Sequence, residues 1–549
     1  MNNRLRRFIL PAACAALLLS GAENARAENP PVPKDIAKYE SAGLYKSRKD
    51  GGLGPELWRH ARREAVQDYM ELLPVSSGNM IFQNLTLSLL LSAADTTDMD
   101  DYKKPEAGED LLTLRLEKLL SMGAYGKIYE IYNFLPDKPY HPRIARAGIL
   151  SMLYSGEKSL ACLENNTLQG LYDEDDFWTD LEAYCAYTLS DSPDEEAESA
   201  LKDTKREMLR TLAFNKDYSF SYDTKAFEKL SALEQAFLTA ESRIDISGTS
   251  NAALRKIPAN HVGALLAQDD LSDKHKIALN ILAVKYGLKT TEDLGKIYEI
   301  TKTPEPEEAK TEWEKLPGLY KNAKHAKDRA ESWAALKQTL PVTGTYGIES
   351  IMPFASMIAK NPPESASMNE LRTVYAVLTE AGFDIPPVWA DLLYRHRGEE
   401  AGNSKAFLIL ATVAHITNSH KYSNEYADLL ETDRTKYPEL VDKIKIITEN
   451  IDKTLRDRNN TLEIYEKDFD LTSMKHYVMP SVRLWDRFME AGENRIISEA
   501  VLLSILAFRD KQPGAFYPGT VREAIKNLNT VGLTDVSRSL AIEAILGSI

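Results

Sequence analysis

Three acidic residues fall at positions where side chains could bind calcium. Asp98, Asp100 and Glu109 occupy positions 1, 3 and 12 of a calcium-loop frame, in which carboxylate oxygens coordinate the ion. Tyr102, however, stands where a further oxygen ligand is needed, and Lys103 replaces the glycine that makes the turn. The sequence therefore predicts an acidic loop here rather than a calcium site.

The histidines do not form a recognisable zinc motif. None of the nine belongs to a His-Glu-x-x-His motif or to an i, i+4 pair, and His415 and His420 are five positions apart, which directs them to different faces of a helix. The chain also lacks a Gly-x-Ser-x-Gly elbow, a P-loop and a dinucleotide-binding fingerprint. We therefore predict no metal ion, no cofactor and no catalytic residues.

One short string is compatible with cleavage of a glycosidic bond. Residues 241–245 read Glu-Ser-Arg-x-Asp and are similar to the start of the catalytic motif of soluble lytic transglycosylases, where the glutamate acts as general acid. The Gly-Leu-Met-Gln stretch that follows in those enzymes is absent, and Ala-Leu-Arg-Lys stands near its place at residues 253–256. We predict that the protein is not an enzyme, with a transglycosylase-like activity at Glu241 as the alternative.

The N-terminus has the three parts of a secretory signal peptide. A basic start precedes an apolar run at residues 8–19, and Ala-Arg-Ala ends at Ala27. The apolar run is too short to cross a bilayer as a helix, so we expect cleavage between Ala27 and Glu28 and a periplasmic or secreted mature protein. Lipidation of Cys14 is the alternative, although no leucine-like residue stands three places before it.

Two cysteines remain after cleavage, Cys162 and Cys185. In an oxidising compartment we expect them to form a disulfide that closes one helical hairpin, the alternative being two buried thiols. No histidine or further cysteine stands beside either one at the spacing of zinc ligands.

Charge and hydropathy restrict the partners. The whole chain has 67 Lys and Arg against 82 Asp and Glu, for a net charge of −15. An acidic chain is a poor partner for nucleic acid or an anionic membrane surface. After the leader, no apolar run approaches the roughly 20 residues of a membrane-spanning helix. We therefore expect no nucleic acid and no membrane span.

The pattern after residue 110 predicts helical hairpins. Leucines at helical spacing precede Gly123, and a second apolar stripe runs from Tyr125 to Leu135. Successive joints at Gly123, Gly156 and Asp191 are 33 and 35 residues apart, the period of tetratricopeptide (TPR) repeats. One hairpin cannot bury its apolar face alone, so we predict an all-α fold, an α-solenoid or superhelix of TPR-like helical hairpins.

Breaks in the helical pattern suggest the domain organisation. The signal peptide at 1–27 precedes an extended or disordered lead-in at 28–54, and a first helix is expected near Pro55. An N-terminal helical-repeat lobe at 55–300 and a C-terminal helical lobe at 301–549 would meet at the Pro- and Glu-rich stretch that begins at Thr301.

Three segments carry a resemblance to a known group of proteins. They are Phe-Trp-x-x-Leu-x-x-Tyr-Cys at 177–185, Arg-Ala-Glu at 329–331, and Val-Gly-Leu-x-x-x-x-Arg-x-Leu-Ala-x-Glu-Ala at 531–544. Together with the hairpin period they resemble uncharacterised secreted helical-repeat proteins of alphaproteobacteria, over most of the mature chain. The resemblance implies secretion and a helical-repeat fold, and it brings no activity and no functional residues.

These observations lead to a functional expectation. We expect a periplasmic scaffold that mediates protein–protein interaction in the cell envelope, with a protein or peptide as partner. Trp178, Trp389 and Trp485 are candidate interface residues, because tryptophan is favoured at recognition surfaces. A self-assembling structural factor of the envelope is a further alternative.

The leader can be tested directly. We expect the mature protein recovered from the envelope fraction to begin at Glu28, as measured by N-terminal sequencing and intact mass. An Ala27→Tyr variant should keep the leader, because the peptidase requires a small residue there. Recovery of wild-type protein with Met1 still attached would contradict the prediction.

Overall fold

The structure is a computed structural model. It describes residues 39–100, 105, 108–135, 140–168, 171–172, 175–190, 194–302, 311–398, 404–417, 422–451, 477–509 and 511–548. The predicted signal peptide, with Cys14, Ala27 and Glu28, lies outside the described residues, as do His420 and most of the stretch proposed as a lobe boundary. The described fold is all-α, which confirms the predicted class.

The helices fall into two sets in chain order. Those before residue 301 are α1 Arg63–Leu72, α2 Met80–Leu91, α3 Leu111–Ser121, α4 Tyr125–Phe134, α5 Pro142–Tyr154, α6 Lys158–Leu168, α7 Asp176–Thr188, α8 Glu195–Asp203, α9 Glu207–Phe214, α10 Thr224–Glu228, α11 Ala232–Ala240, α12 Asn251–Leu254, α13 Ala259–Leu266, α14 Asp273–Lys285 and α15 Thr291–Ile300. Two short parallel strands, β1 Phe220–Ser221 and β2 Ile244–Asp245, pair Phe220 with Ile244 and Ser221 with Asp245.

The second set follows residue 310. It comprises α16 Leu316–Lys324, α17 Arg329–Thr339, α18 Thr343–Tyr346, α19 Ala355–Lys360, α20 Met368–Glu380, α21 Pro387–Tyr394, α22 Lys405–Ile416, α23 Ser423–Asp433, α24 Pro438–Thr448, α25 Val482–Glu493, α26 Ile497–Phe508, α27 Pro518–Thr530 and α28 Thr534–Leu546. Within the described ranges, no helix combines the length and the apolar character needed to cross a bilayer.

The predicted hairpins after residue 110 are present. Helices α3 and α4 meet at Gly123, and α5 and α6 meet at Gly156, both of which have left-handed backbone dihedrals (φ +76° and +81°). At Gly123 a Cβ would lie 2.6 Å from the carbonyl oxygen of Ala259, so a side chain would push the hairpin away from α13. Glycine is therefore required there both for the turn and for the close approach.

Helices pack mainly on their neighbours along the chain. The contacts run from α3 and α4 through α5, α6 and α7, and from α13 through α14, α15, α16 and α17. Helices α15 and α16 lie on the two sides of the predicted lobe boundary and pack on each other, and the hydroxyl of Tyr298 donates to the carbonyl of Ser350 at 2.7 Å. Packing is therefore continuous between the two predicted lobes.

The two ends of the described chain also contact each other. Helices α1 and α2 pack against α26, and α2 contacts α28. The rings of Phe82 and Phe508 stack with centroids 5.2 Å apart, and the backbone N–H of Arg62 donates to Glu499 Oε1 at 3.1 Å. An open solenoid would keep its ends apart, so this contact is a feature that the repeat pattern did not predict.

The described part of the lead-in is packed rather than extended or disordered. Tyr39 and Glu40 are buried, and the Glu40 carboxylate accepts hydrogen bonds from both terminal nitrogens of Arg63 at 2.6 and 2.9 Å. It also accepts from the Thr96 hydroxyl and from the backbone N–H of Leu111 at the start of α3. Helix α1 correspondingly begins at Arg63 rather than near Pro55.

A second buried arginine extends this cluster. Arg115, on α3, is fully buried and donates to the backbone carbonyls of Glu40, Leu90 and Ser92 at 3.2, 2.8 and 2.8 Å. Burial lowers the pKa of Arg115 to about 10, with the charge of Glu40 opposing the shift. The lead-in, α1, α2 and α3 are thus tied together by charged groups that water does not reach.

Replacing Glu40 should be costly. A Glu40→Gln variant removes the buried negative charge that lies against the Arg63 guanidinium, and we expect a loss of about 3–5 kcal/mol in the free energy of unfolding, measured in urea. The matched control is Glu130→Gln on α4, whose ion pair with Lys127 is exposed and should contribute about 0.5 kcal/mol or less. Similar losses in both variants would contradict the assignment.

Candidate functional site

The predicted cysteine pair is present as a disulfide. Cys162 on α6 and Cys185 on α7 have Cα atoms 5.5 Å apart, and both residues are buried. The bond joins two helices that already pack on each other. It therefore fixes α7, whose outer face forms part of the groove described below.

The structure places Glu241 in an ion pair. Its Oε1 lies 2.6 Å from the Lys158 ammonium and accepts a hydrogen bond from the Tyr184 hydroxyl at 3.2 Å. These contacts join the end of α11 to α6 and α7. The geometry around Glu241 is that of a helix-packing contact.

The acidic residues of the calcium frame have other contacts. Asp100 Oδ1 lies 2.8 Å from His60 Nδ1, and the backbone carbonyl of Asp98 accepts from the N–H of His60. Tyr102 and Lys103 lie outside the described residues. Across the described part of the chain, no group of three or more His, Cys, Asp or Glu side chains is arranged to hold a metal ion.

The three tryptophans differ in exposure. Trp389 is fully buried, donates its indole N–H to the Ile358 carbonyl at 3.1 Å and packs on Trp333, so it is not an interface residue. Its helix, α21, begins with two prolines and directs the ring into the core. Trp178 and Trp485 are partly exposed, and each also packs against a neighbouring aromatic ring.

A groove lies between α7 and α8. It has a cavity volume of about 570 Å³, and four alanines line it: Ala183, Ala186, Ala197 and Ala200. On each helix the two alanines are three positions apart and so lie on one face. Helix α8 buries only Leu201, which leaves most of its surface exposed. Small side chains here let another chain approach the helix backbones closely.

The lining of this groove is strongly acidic. It contains one basic residue, Lys205, and six acidic residues, namely Asp176, Asp180, Glu182, Asp194, Glu196 and Asp203. Lys205 pairs with Asp176 at 2.7 Å, while Arg206, next along the chain, pairs with Asp180 at 2.8 Å. Glu196 and Asp203 are exposed and form no ion pair with any described residue. The groove therefore has excess negative charge available to a cationic partner.

Sequence reasoning did not single out these residues and missed the groove. The available signal was the pair of alanines three positions apart on each side of the break at residues 191–193, flanked by acidic residues on both helices. The break itself lies outside the described residues.

A second cavity lies where the chain ends meet. It has a volume of about 360 Å³ and is enclosed by the segment around Arg48, by α2, by the end of α20 and by α28. Its acidic lining residues are Glu380, Asp535 and Glu543. Glu380 ends α20 and Glu543 lies in the last turns of α28, so two helices distant in sequence bring these carboxyl groups to one cavity.

Both glutamates have strongly raised pKa values. Burial, with smaller contributions from the charges of Glu543 and Glu349, raises the pKa of Glu380 to about 8. Burial raises the pKa of Glu543 to about 7, and the hydrogen bond from the Asn79 side-chain amide opposes the shift. The pair can therefore change protonation near neutral pH.

No family model, no curated protein and no solved structure matches this chain in the comparisons with known proteins.

The raised pKa of Glu380 predicts a pH-dependent stability. Between about pH 5 and 8 the folded chain holds a proton on Glu380 that the unfolded chain, with a glutamate pKa of about 4.3, has released. The contribution of Glu380 to the free energy of unfolding therefore falls as pH rises. A Glu380→Gln variant should be more stable than wild type at pH 8, by on the order of 1–2 kcal/mol after allowance for screening by water in the cavity, and nearly unchanged at pH 5.

Urea unfolding at the two pH values measures this difference. Glu64→Gln, at an exposed position on α1, is the control and should shift stability equally at both. A Glu380→Gln variant that is less stable than wild type at pH 8 would show that the carboxylate has a stabilising partner.

Proposed function

We propose that the protein is a helical scaffold of the cell envelope that binds a basic segment of a partner protein in the groove between α7 and α8. The observation that carries the proposal is the lining of this groove, with alanines on both helices and six acidic residues against one basic residue. Secretion follows from the leader, and the resemblance to secreted helical-repeat proteins supports it.

The length of the groove wall suits a short bound helix. Helix α7, which forms this wall, has 13 residues and is therefore about 20 Å long, so a helical segment of about 13 residues can lie along it. The small alanine side chains allow the bound helix to approach α7 and α8 closely. The acidic residues that line the groove favour lysine and arginine on the bound segment. The disulfide holds α7 against α6, so one wall of the groove is fixed before the partner arrives.

The binding test uses a fluorescent helical peptide of about 14 residues with alanine on one face and arginine on the others. We expect saturable binding by fluorescence anisotropy that weakens as salt is raised, because complementary charges are screened. A peptide with the arginines replaced by glutamate should not bind.

The matched variants separate the groove from overall charge. Glu196→Gln with Asp203→Asn should weaken binding about five- to tenfold, whereas Glu64→Gln with Asp68→Asn on α1 removes the same charge and should change it less than twofold. Equal weakening by both pairs would show non-specific attraction to an acidic protein and would overturn the proposal.

The cellular test places a photo-crosslinking residue at Ala200, which is exposed in the groove, and at Asp68 as control. We expect an adduct at position 200 alone, with a lysine- or arginine-rich peptide of one envelope protein at the crosslinked site. A second copy of this chain as the adduct would indicate self-assembly instead, and an acidic or apolar crosslinked segment would contradict the proposal.

A further inference from the structure

The cavity between the chain ends has features that the proposed scaffold does not use. Glu380 lies deep in the molecule, yet part of its side chain remains accessible, and it forms no hydrogen bond or ion pair with any described residue. The accessible part of this carboxyl group faces the cavity between the chain ends, which is open to solvent on one side. Glu380 lines the cavity and is free to contact a ligand there.

Glu543 brings a second carboxyl group to the lining of the same cavity. Its Oε1 accepts a hydrogen bond from the side-chain amide of Asn79, while its Oε2 is covered by protein and has no partner among the described residues. Glu543 therefore contributes negative charge beside Glu380, and Glu380 is the carboxyl group whose side chain remains accessible in the cavity.

The basic side chain that lines the cavity forms hydrogen bonds with backbone carbonyls. Arg48 is the one basic residue among the described residues that line the cavity. Its guanidinium donates to the backbone carbonyls of Leu53 and Val531 at 3.4 and 2.9 Å, and to that of Gly532. It therefore ties the chain ends together and does not neutralise the glutamates.

The remaining lining of the cavity is mixed. Side chains of Met80, Ile81 and Leu85 from α2 face the cavity together with Ile542 and Leu546 from α28. Five polar residues also line it, namely Asn84, Ser88, Thr379, Thr534 and Ser539. Among the described residues, no group of three or more His, Cys, Asp or Glu side chains is arranged to hold a metal ion. The apolar side chains suit an alkyl group, and the cavity volume of about 360 Å³ is within the range of small-molecule sites.

We propose that this cavity binds an organic ammonium ligand, with Glu380 contacting the ammonium group beside the charge of Glu543, and with apolar side chains of α2 and α28 contacting its alkyl chain. Binding requires the carboxylates in their charged form. With its pKa raised to about 8, Glu380 is mostly protonated at pH 7, so the ligand displaces about one proton from it on binding.

The other charged groups around Glu380 and Glu543 affect how the binding of the amine depends on pH. Glu349 and Asp535 add negative charge, while Arg538 on α28 pairs with Asp384 at 3.0 Å. The acidic surroundings raise the proton affinity of Glu380 and would attract an ammonium group for the same reason. Affinity for the amine should therefore rise as pH increases from 6 to 8.

Calorimetry on the full mature protein tests the proposal with hexylamine, and with 1-hexanol as the uncharged probe of equal length. We expect hexylamine to bind at least tenfold more tightly than 1-hexanol. Titrations in phosphate and in MOPS buffer, which differ in ionisation enthalpy and supply no primary ammonium ion, should report the release of about one proton at pH 7.

Variants test whether hexylamine binding and proton release depend on the two carboxyl groups. Glu380→Gln and Glu543→Gln should each weaken hexylamine binding at least tenfold and reduce proton release, while Glu64→Gln should leave both unchanged. The Glu380→Gln variant is expected to fold, since it removes an unpaired acidic group, so a loss of binding is interpretable. Equal binding of hexylamine and 1-hexanol, no binding of either at millimolar concentration, or binding of Ca²⁺ without binding of the amine would overturn the proposal.

Discussion

The mutual burial of α2 and α26 is the constraint from which the rest of the architecture follows. Eight of the twelve residues of α2 and ten of the twelve of α26 are buried, so neither helix has the single apolar stripe of an outer solenoid helix. Each must be covered on nearly all sides. The two helices cover each other, and they come from opposite ends of the described chain. The fold must therefore bring its two ends together.

The contact between the two ends of the chain also forms one of the cavities of the molecule. One groove lies between α7 and α8, and a cavity lined by α2, α20 and α28 lies where the chain ends meet. Asn79 illustrates the connection, because its side-chain oxygen caps α2 while its amide donates to Glu543. One residue thus both starts the helix that closes the fold and orients a carboxyl group in the cavity that closure creates.

Local patterns predicted the features that depend on residues close in sequence. The turn at Gly123 and the Cys162–Cys185 bond follow from helical periodicity, glycine conformation and the expected redox environment. The burial of Glu40 could not be predicted, since a lone glutamate in a polar lead-in gives no sign of the Arg63 that will pair with it. The same holds for Glu380 and Glu543, which reach one cavity only through the closure of the whole chain.

The contact between α1 and α26 also determines when folding of the chain can be completed. Arg62 and Glu499, which hydrogen-bond across it, are 437 residues apart. At about 5–20 residues per second, synthesis leaves the apolar surface of α2 without its cover for roughly 20–90 seconds. Early hairpins can form during that time, but the N-terminal helices remain an aggregation-prone edge until the last part of the chain arrives. A closed fold of this kind therefore gains its covered core only when its last helices are in place.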